Sequence, residues 1–498
     1  MLIVGFNALA YDFEEDGIFY NILSAEDLTC EVTSGINEYS GAVMIPETVL
    51  NQEKNYKVIT IGNDAFYRCE SLTSVGISNS VVSIGNNAFY SCTGMTSATI
   101  GAGIATIGGY AFSGCSGLKE IKVSNENQNY CDIDGVLFDK SKTRLVQYPG
   151  GLVGAYTIPE SVAEIGIGAF YRCDGLTSVV ISNSVTTIGE SAFWDCGGLV
   201  SVIVGNGVST IGNYAFYSCT GLASLSIGNS VSTIGDYAFR GCSGLKEIKV
   251  DNENQKYCDI EGVLFDKSKT LLVQYPGGLV GAYTIPNSVS IVGDYAFEGC
   301  GGLTSVYIPN SVTTIGDYAF EVCGGLTSVV VSNSVTTIGD YGFEGCENLT
   351  SVTIGNSVQT IGDGAFEGCS SLVEINSLNP VPPIITPETF YEAHFLNGTL
   401  NVEKGALNAY KEAPEWKNFL NIQEKDFGGV ETVCNDELKV FVNDARITVV
   451  GADENAVVEV FNLSGQLVTR GYGNEFEVSG SGIYIVRIAE KIFKVAVK

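Results

Sequence analysis

The residues that could perform chemistry in this sequence are few and poorly arranged for catalysis. The chain has a single histidine, His394, so no histidine-based triad can form elsewhere in it. Gly-x-Gly matches such as the one at Gly101 and Gly103 are not followed by the lysine of a phosphate-binding loop. The sequence therefore predicts no catalytic residues and no cofactor, and we expect a protein that is not an enzyme.

Acidic residues form evenly spaced rows instead of one cluster. The rows contain Asp236, Asp294, Asp317, Asp340, Asp363, Glu298, Glu321, Glu344 and Glu367. One interpretation is a solvated carboxylate face, and the other is weak Ca²⁺ binding between neighbouring copies of a repeat. Repetition argues against an active site, because an active site is singular. No metal ligands are predicted, since one histidine and the lack of a C-x-x-C pair do not supply zinc geometry.

Cysteines are numerous, with 15 in the chain, and eleven of them share one phase. These are Cys69, Cys92, Cys115, Cys173, Cys196, Cys219, Cys242, Cys300, Cys323, Cys346 and Cys369. One interpretation is a row of buried free thiols acting as small hydrophobes, and the other is oxidation of some adjacent pairs. The odd total favours free thiols.

A 23-residue motif explains this phase and is written three times from Leu303 to Cys369: L-x-S-V-x-I/V-x-N-S-V-x-T-I-G-D-x-A/G-F-E-x-C. In the first copy the apolar positions are Leu303, Val306, Ile308, Val312, Ile315, Ala319, Phe320 and Cys323. Neither a period of 3.6 nor a period of 2 fits them all. They predict a strand at Leu303–Ile308, a turn at Pro309, an extended piece ending at Ile315 and one helical turn at Asp317–Cys323. This is one coil of a solenoid.

Such a coil is stable only in a stack. Burying eight inward side chains contributes on the order of 10–20 kcal/mol, whereas ordering 23 residues costs roughly 35 kcal/mol. Neighbouring coils must therefore cover both faces of each copy.

Eleven copies can be counted from the cysteines. Within a block the spacing is 23, and twice it is 58, which is 23 plus an insert of 35. The inserts, at about 124–158 and 251–285, are near-duplicates that share GVLFDKSKT and LVQYPGGLVGAYTIP. Each predicts a hairpin that projects from the solenoid or lengthens its sheet. A unit of one long and three short repeats has been duplicated.

The motif resembles the leucine-rich repeats of BspA-like bacterial surface proteins. The resemblance is carried by the repeated motif LTSVxIxNSVTTIGDYAFEGC, and it covers about residues 41–422. The repeat asparagine, as at Asn310, lies seven residues after the leucine instead of the commoner eight, so the curvature of ordinary horseshoe repeats is not carried over. The resemblance implies a repeat solenoid that is leucine-rich-repeat-like and β-rich, and an adhesin-like role at the cell surface.

The flanking sequence predicts the remaining domains. Residues 1–10 resemble the end of a signal peptide, although an ordinary apolar strand is the alternative. Residues 11–49 form a β cap, 50–372 the solenoid, 373–423 a second cap and 424–434 a linker. Residues 435–498 predict a small all-β sandwich. Its segments VVEVFNLSGQLVTRG and SGSGIYIVRI resemble type IX secretion sorting domains, which implies export in a Gram-negative bacterium; a sandwich without a sorting role is the alternative.

A long exposed strand face is the predicted binding surface. The candidate residues are Ser178, Val180, Ser201, Ile203, Ser224, Ser305, Tyr307, Ser328 and Val330. They form a nearly uncharged strip that could contact an extended partner, although β-propensity alone could also explain them.

Composition limits the classes of partner that the protein could bind. The net charge of −30 disfavours binding to nucleic acid or to anionic membranes, and no apolar run of 18 residues predicts membrane insertion. We expect a monomer that is secreted or held on the outer cell surface and that binds protein or glycan on host or microbial surfaces. The alternative function is a glycan-binding accessory protein for polysaccharide capture.

Overall fold

A computed structural model describes residues 11–36, 38–427, 439–443, 446–450, 457–462, 466–471, 475–478, 482–488 and 491–497. The predicted signal segment at 1–10 and most of the predicted linker lie outside these residues. The chain divides into two compact units, one ending at Glu424 and one beginning at Lys425.

The described residues begin with an antiparallel hairpin that leads into the first coil. The hairpin contains β1 (Phe13–Glu15), β2 (Ile18–Ser24) and β3 (Thr29–Thr33), and it is followed by β4 (Gly41–Ile45), β5 (Thr48–Asn51) and β6 (Lys54–Ile61). The β1–β2 turn uses Asp16 and Gly17 with φ of 51° and 77°, a left-handed conformation that suits a tight hairpin. β3 then pairs in parallel with β6, so the hairpin covers the end of the solenoid on that side.

Coils with one long and one short strand follow. The strands are β7 (Leu72–Ile77), β8 (Ser83–Ile84), β9 (Ser97–Ile100), β10 (Thr106–Ile107), β11 (Glu120–Val123), β12 (Tyr130–Ile133), β13 (Val136–Asp139), β14 (Arg144–Gln147), β15 (Gly154–Thr157), β16 (Glu164–Ile165), β17 (Leu176–Ile181), β18 (Thr187–Ile188), β19 (Ser201–Val204), β20 (Thr210–Ile211), β21 (Ser224–Ile227) and β22 (Thr233–Ile234). β4 pairs in parallel with β7, so Gly41–Ile45, placed in the cap by sequence, forms the first long strand.

The second copy of the duplicated unit repeats this order. Its strands are β23 (Glu247–Val250), β24 (Tyr257–Ile260), β25 (Val263–Asp266), β26 (Leu271–Gln274), β27 (Gly281–Thr284), β28 (Ile291–Val292), β29 (Leu303–Tyr307), β30 (Thr314–Ile315), β31 (Ser328–Val330), β32 (Thr337–Ile338), β33 (Ser351–Ile354), β34 (Thr360–Ile361) and β35 (Glu374–Ser377). The end of the array carries α1 (Glu392–Asn397), β36 (Thr399–Glu403), α2 (Leu407–Glu412), a 3₁₀ turn at Trp416–Asn418 and β37 (Asn421–Lys425).

Each coil contributes to three faces. The long strands form the long-strand face, in sheets ordered β4-β7-β9-β11, β15-β17-β19-β21-β23 and β27-β29-β31-β33-β35-β36-β37. The two-residue strands form the short-strand face, and the segment around the motif phenylalanine forms the turn face. Coils stack in parallel with a register of 23 residues, as in the pairing of Ser178 with Ser201 and of Ser201 with Ser224. The predicted repeat solenoid is confirmed.

The turn face differs in detail from the single helical turn expected at Asp317–Cys323. Tyr318 and Val322 have φ of 55° and 54°, and this left-handed backbone interrupts a helix. Their N–H groups instead donate to Asp340 and Glu344 of the next coil at 2.8 and 2.7 Å. The turn face is therefore held by hydrogen bonds between coils, as the two strand faces are.

Each insert supplies a further coil and a hairpin. β14 pairs in parallel with β16 on the short-strand face, and β15 pairs with β17 on the long-strand face. Tyr148 takes the place of the motif phenylalanine and stacks on Phe170 at 4.8 Å. The remaining strands, β12 and β13, form the antiparallel hairpin that lengthens the short-strand sheet.

Stacked motif residues form the core. Phe297, Phe320, Phe343 and Phe366 are fully buried and stack with centroid separations of 4.6, 5.0 and 5.5 Å. Close approach of the coils explains the glycine that often precedes the motif leucine, since a Cβ at Gly198 would lie 2.0 Å from the carbonyl oxygen of Asp174.

The second unit is all β in the residues described. Its strands are β38 (Lys439–Asn443), β39 (Arg446–Val450), β40 (Val458–Asn462), β41 (Leu467–Gly471), β42 (Glu475–Glu477), β43 (Gly482–Ile488) and β44 (Lys491–Val497). They form two antiparallel sheets, β38-β39-β42 and β41-β40-β43-β44. A core that includes Ile447, Val460 and Val486 joins them, as expected for the predicted β sandwich.

Candidate functional site

The nine candidate residues lie on the outward side of the long strands. Val180, Ile203 and Val330 are 39%, 51% and 53% exposed, whereas their inward neighbours such as Val179 and Val202 are buried. This alternation follows from the two-residue period of a strand. Parallel pairing places Val180 beside Ile203 and Tyr307 beside Val330.

The structure gathers these residues into two patches instead of one strip. The first patch lies on β17, β19 and β21, and the second lies on β29 and β31. The long-strand sheet stops at β23 because the second insert hairpin covers its edge: Ile248 donates to the carbonyl of Gly262, and Val250 donates to Asp259 Oδ1, both at 2.8 Å.

Both patches are free of charged side chains among the candidates, and a charged strand borders the first. On β23, Lys249 and Glu247 form an exposed ion pair at 3.1 Å, and Lys122 and Glu120 do the same on β11 at 3.2 Å. The charged strand β23, which belongs to the second long repeat, therefore bounds the uncharged area on β17 to β21. Such a surface can form van der Waals contacts and hydroxyl hydrogen bonds with an extended partner.

The cysteines have a structural role. All fourteen cysteines in the described residues are free. Cys196, Cys219 and Cys323 donate their thiols to the carbonyl oxygens of Phe170, Phe193 and Phe297 of the preceding coils at 2.9, 3.0 and 3.0 Å. Burial raises the pKa of the Cys219 and Cys323 thiols far above its usual value, which makes them poor nucleophiles.

His394 closes the end of the array. Its Nδ1 accepts the N–H of Tyr391 at 3.1 Å, and its Nε2 lies 2.8 Å from the carbonyl of Cys369. Because Nδ1 accepts a hydrogen bond, the ring proton lies on Nε2, which donates to the carbonyl oxygen of Cys369. The buried ring thus satisfies backbone groups at α1 and the last motif copy, and burial lowers its pKa.

The aspartate row also acts on the backbone. Asp294, Asp317 and Asp340 each accept, through Oδ1, the N–H of the aspartate one coil further on, at 2.9, 2.8 and 2.8 Å. Within the described ranges, no group of three His, Cys, Asp or Glu side chains could hold a metal ion.

An aromatic cluster on the turn face lies outside the residues that the sequence predicts for binding. Trp194 stacks with Tyr217 at 4.1 Å and with Tyr171 at 5.9 Å, and Tyr214 stacks with Tyr237 at 4.8 Å. All five rings are partly exposed. The signal was available, because the residue after the motif phenylalanine is aromatic in five of the first seven copies, with Ser113 and Arg240 as the exceptions, and glutamate in the last four. Because the rings stack along the solenoid, they present mainly edges and hydroxyls to a partner.

A cleft of about 430 Å³ lies at the second junction between blocks, beside Tyr237 and Arg240. Arg240 contacts Glu321 Oε1 at 2.8 Å and Glu298 Oε1 at 3.4 Å. Burial nevertheless outweighs the attraction of Arg240 and raises the pKa of Glu321 to about 7, and Glu298 and Glu344 reinforce the rise. The corresponding cleft at the first junction, beside Tyr110, measures about 250 Å³.

None of the helices in the described residues is long and apolar enough to cross a membrane. Residues 48–153, 152–271 and 280–397 match the family model described as a BspA type leucine rich repeat region. No curated protein matches the chain significantly.

Several solved structures are similar. A leucine-rich cell surface protein from Faecalibacterium prausnitzii is 27% identical, with a TM-score of 0.50 over 84% of this chain and 95% of that one. The pneumococcal vaccine antigen PcpA is 19% identical, with a TM-score of 0.45 over 83% and 98% of the two chains. A leucine-rich repeat protein from Bacteroides ovatus is 26% identical, with a TM-score of 0.32 over 74% and 94%.

Proposed function

The chain belongs to the BspA-type leucine-rich repeat family, and from that premise we propose that it is a non-enzymatic, adhesin-like binding protein exposed at a cell surface. It contacts proteins or other macromolecules on host or microbial surfaces through its long-strand face. Its similarity to a cell surface protein of Faecalibacterium prausnitzii supports the location.

One observation carries the proposal. Coils in strict register repeat the same outward positions, so Val180 and Ile203, and likewise Tyr307 and Val330, lie side by side at about the 4.8 Å spacing of paired strands. Exposed apolar side chains repeated in a background of hydroxyl residues suit a long partner better than a small molecule.

The proposal also includes export of the protein to the cell surface. We take residues 1–10 as the end of a signal peptide and residues 435–498 as a sorting-like domain, which together suggest the outer surface of a Gram-negative bacterium. Both assignments rest on sequence resemblance, and mass spectrometry of the surface protein would test them by giving its two termini.

Binding assays against immobilised fibronectin, fibrinogen and mucin test the function. We expect saturable binding that falls at least about tenfold in a Tyr307→Asp/Val330→Asp double variant, because two desolvated charges oppose the contact. Val381→Asp is the matched control, since Val381 is 69% exposed and lies outside both patches. Equal loss in the control, or no binding to any host or microbial surface, contradicts the proposal.

Glycan capture is the second candidate, and the aromatic cluster around Trp194 favours it. Aromatic faces commonly stack on sugars, but here Tyr171 and Tyr217 occupy the faces of Trp194. A glycan array separates the two candidates. Binding that is lost in Trp194→Ala and kept in Tyr307→Asp/Val330→Asp would select glycan capture.

A further inference from the structure

The first long strand, β4, has an unpaired edge. One edge pairs in parallel with β7, and within the described part of the chain no strand pairs with the other. In a parallel pair, alternate N–H and C=O groups point away from the partner strand. The N-terminal hairpin pairs with the opposite side of this coil, where β3 lies parallel to β6.

At the opposite end of the first two long-strand sheets, the insert hairpins cover the strand edges. At β11, Ile121 donates to the carbonyl of Gly135 at 2.9 Å and Val123 donates to Asp132 Oδ1 at 2.8 Å. The second insert hairpin covers β23 in the same way. Covering free edges is the usual protection of a sheet against adding foreign strands. Within the described residues, β15 and β27, which begin the other two long-strand sheets, also pair with a strand on one edge only. At β4 the unpaired edge lies beside a cleft.

A cleft of about 520 Å³ lies along this edge. The β1–β2 turn, residues 38–40, β4 and the start of β5 line it. Met44 and Leu50 are 70% and 51% exposed there. Val43 remains half-buried, although Val75, its partner on β7, is buried. The cleft therefore offers an apolar floor beside an open strand edge.

The wall of the cleft is acidic. Its charged lining residues are Glu14, Glu15, Asp16 and Glu38. Among the described residues that line it, none is basic. An extended segment with alternating basic and apolar side chains matches this arrangement, because successive side chains of a strand point to opposite sides.

We propose that the β4 edge binds an extended, basic polypeptide segment by strand addition. Main-chain hydrogen bonds to β4 supply affinity, and the carboxylates select lysine or arginine side chains. This site lies at the N-terminal end of the array and is separate from the long-strand patches of the proposed function.

The probe is an eight-residue peptide of alternating Lys and Val, titrated against the full chain by fluorescence anisotropy. We expect binding that weakens about tenfold in Glu14→Lys/Glu38→Lys, because two attractions become repulsions. Glu160→Lys is the matched control, as Glu160 is exposed and outside the cleft, and it should leave the affinity unchanged. Amides of residues 42–44 should gain protection from hydrogen exchange.

Two further peptides test the mode of binding. A Glu-Val peptide should not bind, and a Lys-Val peptide with alternate amides N-methylated should lose binding, since it cannot complete a ladder. Equal binding of the methylated peptide overturns strand addition. Equal weakening in Glu160→Lys overturns the site, and so does failure of the Lys-Val peptide to bind at all.

Other occupants give distinct results. Self-association in ultracentrifugation that disappears in Glu14→Lys/Glu38→Lys would assign the edge to a second copy of the chain. Tenfold tighter peptide binding after removal of residues 1–10 would assign it to that segment. Either result overturns the proposal. Tyr307→Asp/Val330→Asp should bind the peptide normally, which keeps this test independent of the proposed function.

Discussion

Phe320 shows what the motif aromatic does at the scale of one residue. Its ring lies between Phe297 and Phe343, and no part of it reaches solvent. The ring therefore contributes both to burial within its own coil and to the interfaces with two neighbours.

Phe320→Ala should lower the free energy of unfolding by about 3–5 kcal/mol, because it removes buried apolar surface and leaves a cavity. Thr304→Ala, on the exposed side of β29, should change it by less than about 0.5 kcal/mol. Denaturant unfolding measures both. Hydrogen exchange should show the coils around residues 297–343 losing protection first, and a uniform loss along the chain would contradict the coil description.

Asp317 links two coils through one oxygen. Asp317→Ala removes the acceptor for the Asp340 N–H and should cost about 1 kcal/mol. Asp317→Asn keeps a carbonyl oxygen at the same place and should stay within about 0.5 kcal/mol of the unchanged protein. Thermal unfolding compares the two, and equal losses would show that the hydrogen bond does not matter.

At the scale of elements, the junctions between blocks are the places where the array departs from strict repetition. The inserted coil lacks a full turn-face segment, so the coils on either side of it contact each other there. Ser113 Oγ donates to the carbonyl oxygen of Gly168 at 3.0 Å. At the second junction, Arg240 bridges to Glu298 and Glu321 over the same gap.

The raised pKa of Glu321 makes this junction sensitive to pH. Between the ordinary value of 4.5 and about 7, the unfolded carboxyl ionises while the folded one keeps its proton. The free energy of unfolding should therefore fall as pH rises through this window, by about 1–3 kcal/mol, and level off above it.

Urea unfolding of Glu321→Gln at pH 4.5 and pH 7.5 checks this, because the variant lacks the titrating group. Its loss of stability between the two pH values should be smaller than that of the unchanged protein. Glu367→Gln, an exposed member of the same row, is the control and should follow the unchanged protein. Identical pH dependence in Glu321→Gln would contradict the assignment.

The elements also show what sequence could predict. The strand at Leu303–Tyr307 follows from the positions of Val306 and Ile308, because inward residues two apart indicate an extended backbone. The turn face was mispredicted as helical because Tyr318 and Val322 adopt left-handed φ values that their residue types do not favour. Hydrogen bonds to the next coil compensate for this strain.

Two further features, the extra coil in each insert and the division of the candidate residues into two patches, do not follow from the repeated motif. Tyr148 replaces the motif phenylalanine in the first insert, so the extra coil was not counted from phenylalanine and cysteine alone. The candidate residues were placed on the correct strands, but their division into two patches depends on Gly262 and Asp259, which cover β23 only once the hairpin has folded back. Contacts between distant segments do not follow from a periodic pattern.

At the scale of the molecule, stability should depend on whole coils. Excising residues 199–221, which is one period, joins Gly198 to Leu222 and gives every remaining coil equivalent neighbours. We expect a folded protein with a smaller denaturant m-value, since less surface is exposed on unfolding. Excising residues 199–209 puts the strands of one coil out of phase and should leave part of the array unfolded by circular dichroism. Similar spectra for both deletions would refute the dependence on register.

The two inserts are near-duplicates 127 residues apart, and each repeat unit contains five long strands, β11, β15, β17, β19 and β21 in the first. Recombination between the matching gene segments would add or remove such a unit as one block of five coils. Every new boundary between repeat units would have the same sequence as a boundary that is already present in the folded protein. Descendants of this gene could thus change the length of the repeat array without evolving any new packing.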